Sequence, residues 1–323
     1  MVKLRQQCCT ESTSGEQAMA RSRTTKGVGS FTSEAARERF LAAYDDAMGL
    51  WSCPRQELDV ETSYATTHVL RCGPDGGEPI VLLHGSGGSS TMWFPNVATL
   101  SAHHPVYAVD TPGDPGRSVQ RRPIFEPEVS AAWLDEVLDG LGLTQVHLIG
   151  SSYGGWLALN QTLHSPSRIA TSTLLDPGGF EKVGARFYTW LIINGLAGLL
   201  PRRLFPNLSS KLSNPVLDYP QLKRSILLGA RTYRVRRPAP LPLTDEELSA
   251  VRTPTLLLIG DRSPLLHDAP SRERAQRLMP SVDAELVADT RHGPSIEHPE
   301  YVNNRILQFL KAASAGQLPR HTL

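Results

Sequence analysis

The sequence predicts an α/β fold, a mostly parallel central sheet flanked by helices. Three observations carry that expectation. Short unbroken apolar runs of strand length recur along the chain, helical patterns separate them, and the chemically capable residues follow the runs rather than sit inside them. An apolar strand with no polar alternation is covered on both faces, and intervening helices supply the cover. Ligands in such sheets bind beyond the carboxyl ends of the strands.

Composition bounds the function. The chain has 323 residues, of which 40 % are hydrophobic and 20 % charged. That is enough apolar material for a sizeable core and too much for a disordered chain. Lys and Arg number 33 against 32 Asp and Glu, and the net charge of +1 leaves no electrostatic footprint for nucleic acid. Four cysteines are too few for a disulfide scaffold: Cys8 and Cys9 are adjacent, Cys53 and Cys72 stand alone, and no metal-type Cys/His spacing occurs. No metal and no cofactor are expected. The N-terminus lacks an apolar run long enough for a signal peptide. The reading is a cytoplasmic protein with a small-molecule partner, no membrane partner and no signal for an oligomeric state.

Residues 1–30, rich in Ser, Thr, Gly, Gln and Arg, read as a disordered tail, with Met19 an alternative start. A core follows over 31–176 and 254–315. Thr32-Ser33-Glu34 opens a helix in which Phe40, Leu41, Tyr44 and Met48 recur at helical spacing. Gln56 to Val60 and Tyr64 to Cys72 read as strands before the turn Gly73–Gly77. Regular alternation then begins. The strands are Ile80–Leu83, Val106–Val109, Val146–Ile149, Ser172–Leu175, Thr255–Ile259 and Ala284–Val287. The helices are Val129–Leu141, Tyr153–Leu163, Ser271–Met279 and Glu300–Ala313.

Residues 177–253 break the rhythm, with helical character, many prolines and no clear strand. An insertion at the active edge of a sheet reads as a lid. Its apolar run, Phe187 to Leu200, is too short to span a bilayer and reads as a buried or cleft-lining helix. The run Arg231 to Arg237 reads as a solvated stretch of the same lid.

Gly150-Ser151-Ser152-Tyr153-Gly154 matches G-x-S-x-G between a strand and a helix. Glycines permit the tight turn that lifts a serine hydroxyl out of a sheet edge, which makes Ser152 the candidate nucleophile. A plain Gly-rich turn would not need that strand–helix context. His84-Gly85-Ser86-Gly87-Gly88 follows the first regular strand. The backbone N–H groups of Ser86 and Tyr153 are the candidate oxyanion donors, with His84 structural. A serine hydroxyl needs a base. His292, just after the last strand, has the best claim; His103 and His104 lie in a polar loop, His164 ends a helix and His298 starts one. A carboxylate should orient that imidazole. The usual Gly-x-x-Asp or Gly-x-x-Glu pattern after the fifth strand is broken here, because Gly260-Asp261-Arg262-Ser263 places a serine there. Asp176, which ends the preceding strand, ranks first among the substitutes, Asp261 second and Asp268 third.

On these motifs the chain resembles the α/β-hydrolase superfamily, and within it bacterial carboxylesterases of the naproxen-esterase type. The resemblance runs from about Phe40 to Phe309. It is densest in Thr67–Leu70, Val81–Gly85, Ser90–Asn96, Tyr107–Asp110 with Gly113-Asp114, Thr244–Leu248 and Tyr301–Asn303. The resemblance implies an α/β-hydrolase fold with a helical lid insertion, Ser152 as nucleophile and His292 as base. It also implies a carboxylate where this chain has Ser263.

Three functions follow. The first is a cofactor-free serine hydrolase that cleaves a carboxylic ester of a hydrophobic small molecule through an acyl-enzyme. The second is a tailoring lyase of secondary metabolism that eliminates acetate from an acetylated polyketide of tetronate type, motivated by Ser263. The third is a non-catalytic binding protein on a hydrolase scaffold.

Overall fold

Alternate residues of the apolar runs face opposite sides of one sheet, and both sides are buried. In the computed structural model, Ile80, Leu82, Val106, Ala108, Leu256 and Leu258 join one hydrophobic cluster. Their neighbours Val81, Leu83, Tyr107, Val109, Leu257 and Ile259 join another. A period of two with apolar residues at every step requires a cover on each face. The structure describes residues 2–4, 27–197 and 214–317, with positions 199 and 212.

The strands are β1 (Val2–Leu4), β2 (Ser30–Phe31), β3 (Gln56–Glu61), β4 (Ala65–Cys72), β5 (Ile80–Leu83), β6 (Val106–Val109), β7 (Val119–Gln120), β8 (Val146–Ser151), β9 (Ile169–Leu175), β10 (Tyr233–Arg234), β11 (Thr255–Gly260) and β12 (Val282–Val287). The helices are α1 (Glu34–Met48), α2 (Val97–Ser101), α3 (Pro127–Gly140), α4 (Tyr153–His164), α5 (Ala185–Ala197), α6 (Pro220–Thr232), α7 (Asp245–Ala250), α8 (Asp268–Leu278), α9 (Pro294–Glu297) and α10 (Pro299–Ser314).

The main sheet has the order β1-β3-β4-β6-β5-β8-β9-β11-β12, with β7 paired to β4. From β6 to β12 every pairing is parallel. The pairings of β1, β3, β4 and β7 are antiparallel. The chain leaves β5 for β6 on one side and returns to β8 on the other. That reversal opens a crevice at the carboxyl ends of β5 and β8, the default ligand position of such a sheet. Trp133, Leu134, Val137 and Leu138 of α3 and Leu157 to Leu159 of α4 cover one face. Phe40 and Tyr44 of α1 and Val302, Ile306 and Phe309 of α10 cover the other.

Most of the tail expected over residues 1–30 lies outside the described residues; of the rest, Val2–Leu4 pairs with Leu58–Val60 and Ser30–Phe31 with Tyr233–Arg234. The second pairing corrects the expectation of no strand within 177–253. It also ties that insertion to the core, as does Arg224 of α6, 2.9 Å from Asp46 of α1. The Phe187–Leu200 run was expected as a buried or cleft-lining helix. Within α5 only Asn194 and Ala197 are buried, while Leu191, Ile192 and Leu196 are 50, 62 and 61 % exposed. The run is apolar all round, but α5 packs on the core along one side only. Among the described residues no helix is long and apolar enough to cross a membrane.

A buried polar bridge joins the segment after β5 to helices α9 and α10. Asn96 Nδ2 donates to the Ser295 carbonyl at 3.0 Å and to Asn303 Oδ1 at 2.8 Å. Asn303 Nδ2 in turn donates to the Pro95 carbonyl at 3.1 Å. Asn96 is fully buried, so its removal strands acceptors away from water. Asn96→Ala is expected to lower the unfolding free energy by roughly 1–3 kcal/mol, read by urea titration. A change within about 0.5 kcal/mol, ordinary for a surface site, would show that the bridge contributes little.

Candidate active site

Ser152 stands at the turn from β8 into α4 with φ 53° and ψ −111°, a conformation that side-chain-bearing residues rarely adopt. Such strain costs on the order of 1–3 kcal/mol and persists only where the surroundings impose it. Here they do. The Ser152 N–H donates to the Leu175 carbonyl at 2.9 Å, and the Ser152 carbonyl accepts from the Gly178 N–H at 2.9 Å. The two flanking glycines are required by space. A Cβ on Gly150 would run into the Gly154 backbone, and one on Gly154 into the Leu83 carbonyl.

The Ser152 hydroxyl lies 2.9 Å from His292 Nε2. His292 comes from the loop after β12. Glu297 braces that loop on both sides of the imidazole, accepting from the Arg291 N–H at 3.0 Å and the Gly293 N–H at 2.8 Å. Burial pushes the Glu297 carboxyl above its ordinary pKa, and the two N–H donors pull in the other direction. The rings of Phe187 and Trp190 of α5 meet the imidazole nearly edge-on, with centroids at 5.1 and 5.6 Å.

His292 Nδ1 lies 2.5 Å from Asp176 Oδ2. Asp176 is fully buried and has φ 44°. Its own N–H donates to the Leu258 carbonyl at 2.8 Å, which fixes it at the top of the sheet between β9 and β11. Ser263 Oγ donates to Asp176 Oδ2 at 2.7 Å, and the Gly260 N–H reaches Asp176 Oδ1 at 3.3 Å. The same Ser263 oxygen accepts from the N–H groups of Leu265 and Leu266, each at 3.1 Å. Asp261 is turned elsewhere, its Oδ1 accepting from the Thr290 N–H at 3.1 Å. Asp268 opens α8, and neither of these two carboxylates is bonded to the imidazole.

The loop Gly85–Gly88 closes on the serine turn: a Cβ on Gly85 would sit 3.4 Å from Ser152 Cβ. Gly87 has φ 69° and donates its N–H to Asp114 Oδ1 at 3.2 Å. His84 is buried, with Nδ1 2.8 Å from the Gly85 carbonyl and Nε2 accepting the Thr111 N–H at 3.0 Å. Its role is to hold this loop. Tyr153 heads α4, where first-turn amides have no intrahelical acceptor. A hydroxyl, an imidazole and a buried carboxylate in one hydrogen-bonded line can move a proton off the serine and stabilise the resulting imidazolium.

Arg237 departs from its expected place. The Arg231–Arg237 run was expected to be solvated, and Arg231, Arg234 and Arg236 are exposed. The Arg237 side chain is only 11 % exposed and lies 2.8 Å from the fully buried Asp114. Sequence reasoning also passed over Glu297, whose only signal was its position five residues past His292. A cavity of about 340 Å³ lies beside the imidazole loop, lined by Trp190, Ile193 and Asn194 of α5 together with Ser263, Pro264 and Arg291.

Comparison with known proteins bears on the family and the fold. A profile described as the Alpha/beta hydrolase family matches residues 80–305. Carboxylesterase YbfK of Bacillus subtilis (strain 168) is 33 % identical over 281 residues, covering 84 % of this chain and 93 % of that protein. An uncharacterized carboxylesterase, nap, of the same organism is 32 % identical, covering 85 % of this chain and 93 % of its own length. The crystal structure of naproxen esterase from Bacillus subtilis matches with a TM-score of 0.75 at 30 % identity, over 84 % of this chain and 97 % of that one.

The packing at Gly154 can be tested directly. Gly154→Ala is expected to lower the melting temperature sharply or prevent soluble expression, because an overpacked site with rigid backbone neighbours typically costs about 1–3 kcal/mol or more. An unchanged melt by circular dichroism would show that the turn relaxes freely.

Proposed function

This chain belongs to the alpha/beta hydrolase family, and on that premise we propose that it is a serine carboxylesterase of hydrophobic small molecules, working through an acyl-enzyme. The observation that carries the proposal is the line Ser152–His292–Asp176, with contacts of 2.9 and 2.5 Å. The carboxylesterase relatives support it.

In the tautomer that this line requires, His292 carries its proton on Nδ1 and donates it to Asp176, which leaves Nε2 free to accept the Ser152 proton. Ser152 Oγ attacks the acyl carbon as the proton passes to Nε2. The carbonyl oxygen becomes an oxyanion, held by the N–H groups of Ser86 and Tyr153. His292 returns the proton to the departing alkoxide, and an alcohol leaves. Water then repeats the sequence on the acyl-enzyme and releases the acid. Asp176 accepts the Nδ1–H throughout and stabilises the imidazolium. We read α5 as the lid element over this site. The Phe187 and Trp190 rings beside the imidazole favour an apolar substrate.

Ser263 was the motive for an eliminating lyase. With Asp176 on His292 Nδ1 and Ser263 bonded to the same carboxylate, the substitution no longer points away from acyl transfer.

Hydrolysis of p-nitrophenyl butyrate is the first test. Ser152→Ala should lower kcat by about 10³-fold or more while circular dichroism stays unchanged. His292→Ala should be about as damaging, and the double variant little worse than either, because the pair acts as a unit. Near-normal turnover in Ser152→Ala would overturn the covalent mechanism, and multiplying losses would separate the two roles.

A further inference from the structure

Both amides that an oxyanion would need belong to residues whose side chains touch one guanidinium. Arg237 Nη2 donates to Ser86 Oγ. The Arg237 guanidinium carbon also sits 3.6 Å from the centre of the Tyr153 ring. Arg237 belongs to the inserted segment, just after β10, and comes from neither of the loops it bridges.

The guanidinium is fixed from behind. Asp114 Oδ2 lies 2.8 Å from Arg237 Nε, a contact that is ionic rather than a well-aligned hydrogen bond. Asp114 Oδ1 accepts the N–H of Gly87, the residue after Ser86. The backbone repeats the link, because the Arg236 N–H donates to the Gly113 carbonyl at 3.1 Å. Gly113 has φ 88°, and a Cβ there would strike the Arg236 carbonyl. The guanidinium is held from its buried side by the Asp114 carboxylate and reaches outward to the hydroxyl of the exposed Ser86. The ring face of Tyr153 adds a cation–π contact inside the same buried site.

We propose that Arg237 is a positioning residue: with Asp114, it holds the Ser86 and Tyr153 amides in the separation that a tetrahedral oxyanion requires, and so makes the insertion part of the catalytic apparatus. The inference rests on the esterase reading of the site. Donors preset for an oxyanion act on the transition state and little on the ground state. Loss of the clamp therefore lowers kcat more than it raises KM. It also weakens a trifluoromethyl ketone, which forms a tetrahedral adduct on serine, in step with kcat.

The test compares wild type, Arg237→Met, Arg237→Lys and Ser86→Ala on p-nitrophenyl butyrate, with the trifluoromethyl ketone inhibition constant and the rate of Ser152 labelling by a fluorophosphonate. Removing a whole oxyanion donor costs about 10²–10³-fold, so misaligning two should cost Arg237→Met about 10–10²-fold in kcat, with KM within about threefold. The inhibition constant should rise and labelling should slow by similar factors. Arg237→Lys should recover part of the loss, since it keeps charge but not the planar fork. Ser86→Ala keeps the amide but removes the hydroxyl that Arg237 grips, and should show the same pattern more weakly. A raised KM with kcat and inhibition constant unchanged would make Arg237 a substrate-binding or purely structural residue, and overturn the proposal. If Arg237→Met does not fold, Ser86→Ala decides: unchanged kcat, inhibition constant and labelling overturn it. Labelling reads the donors without an ester. A wild type that labels but does not hydrolyse would sink the esterase reading alone, and equal labelling of wild type and Arg237 variants would sink this one.

Discussion

A carboxylate with no exposure to water is tolerated only when donors surround it. Asp176 meets that condition with groups from three places. The Gly260 N–H comes from the end of β11, the Ser263 hydroxyl from the loop beyond it, and the imidazole from the loop after β12. Its backbone is locked by the bond to Leu258 and by a positive φ. The carboxyl ends of β9 and β11 and the loop beyond β12 therefore converge on one side chain, and the position of His292 over Ser152 follows from that convergence. The strained Ser152 turn is held from the same region, since its N–H is bonded to Leu175, the residue before Asp176.

The arrangement shows what Ser263 does in the place where the usual Gly-x-x-Asp or Gly-x-x-Glu pattern would put a carboxylate. A serine cannot hold the imidazole, but it can supply a donor to a carboxylate one strand away. Its oxygen, fixed by the amides of Leu265 and Leu266, delivers that donor in a set direction. The charge stands at the end of β9 and the supporting hydrogen bond comes from the loop after β11. Asp261 is engaged instead with the Thr290 N–H, on the loop that carries the imidazole.

Much of this was legible in the sequence, for physical reasons. The six apolar strand runs could be read because burial on both faces leaves no room for polar alternation. That Ser152 and His292 would meet could be expected, because the turn chemistry of G-x-S-x-G and the place after the last strand are local signals. For the acid the sequence offers only a ranking, Asp176 before Asp261 before Asp268, since choosing among them depends on which side chain crosses a gap between strands. Arg237 and Glu297 were missed for the same reason. Nothing local distinguishes Arg237 from the exposed Arg234 and Arg236 beside it, and its burial comes from Asp114, far away in sequence. For the apolar run of α5 composition left burial and cleft lining open: Phe187, Trp190 and Ile193 turn to the imidazole and the cavity, while Leu191, Ile192 and Leu196 face solvent.

The claim on which the proposed chemistry turns is that Asp176 orients the imidazole and stabilises the imidazolium that forms on it. The direct measurement is kcat for Asp176→Asn beside Asp261→Asn, with circular dichroism to confirm that both fold. If Asp176 is the acid, an amide in its place leaves the geometry but favours the wrong tautomer, so Asp176→Asn should lose roughly 10²-fold or more in kcat while Asp261→Asn stays within about tenfold. A crippled Asp261→Asn alongside a near-normal Asp176→Asn would contradict the assignment and place the acid in the loop after β11.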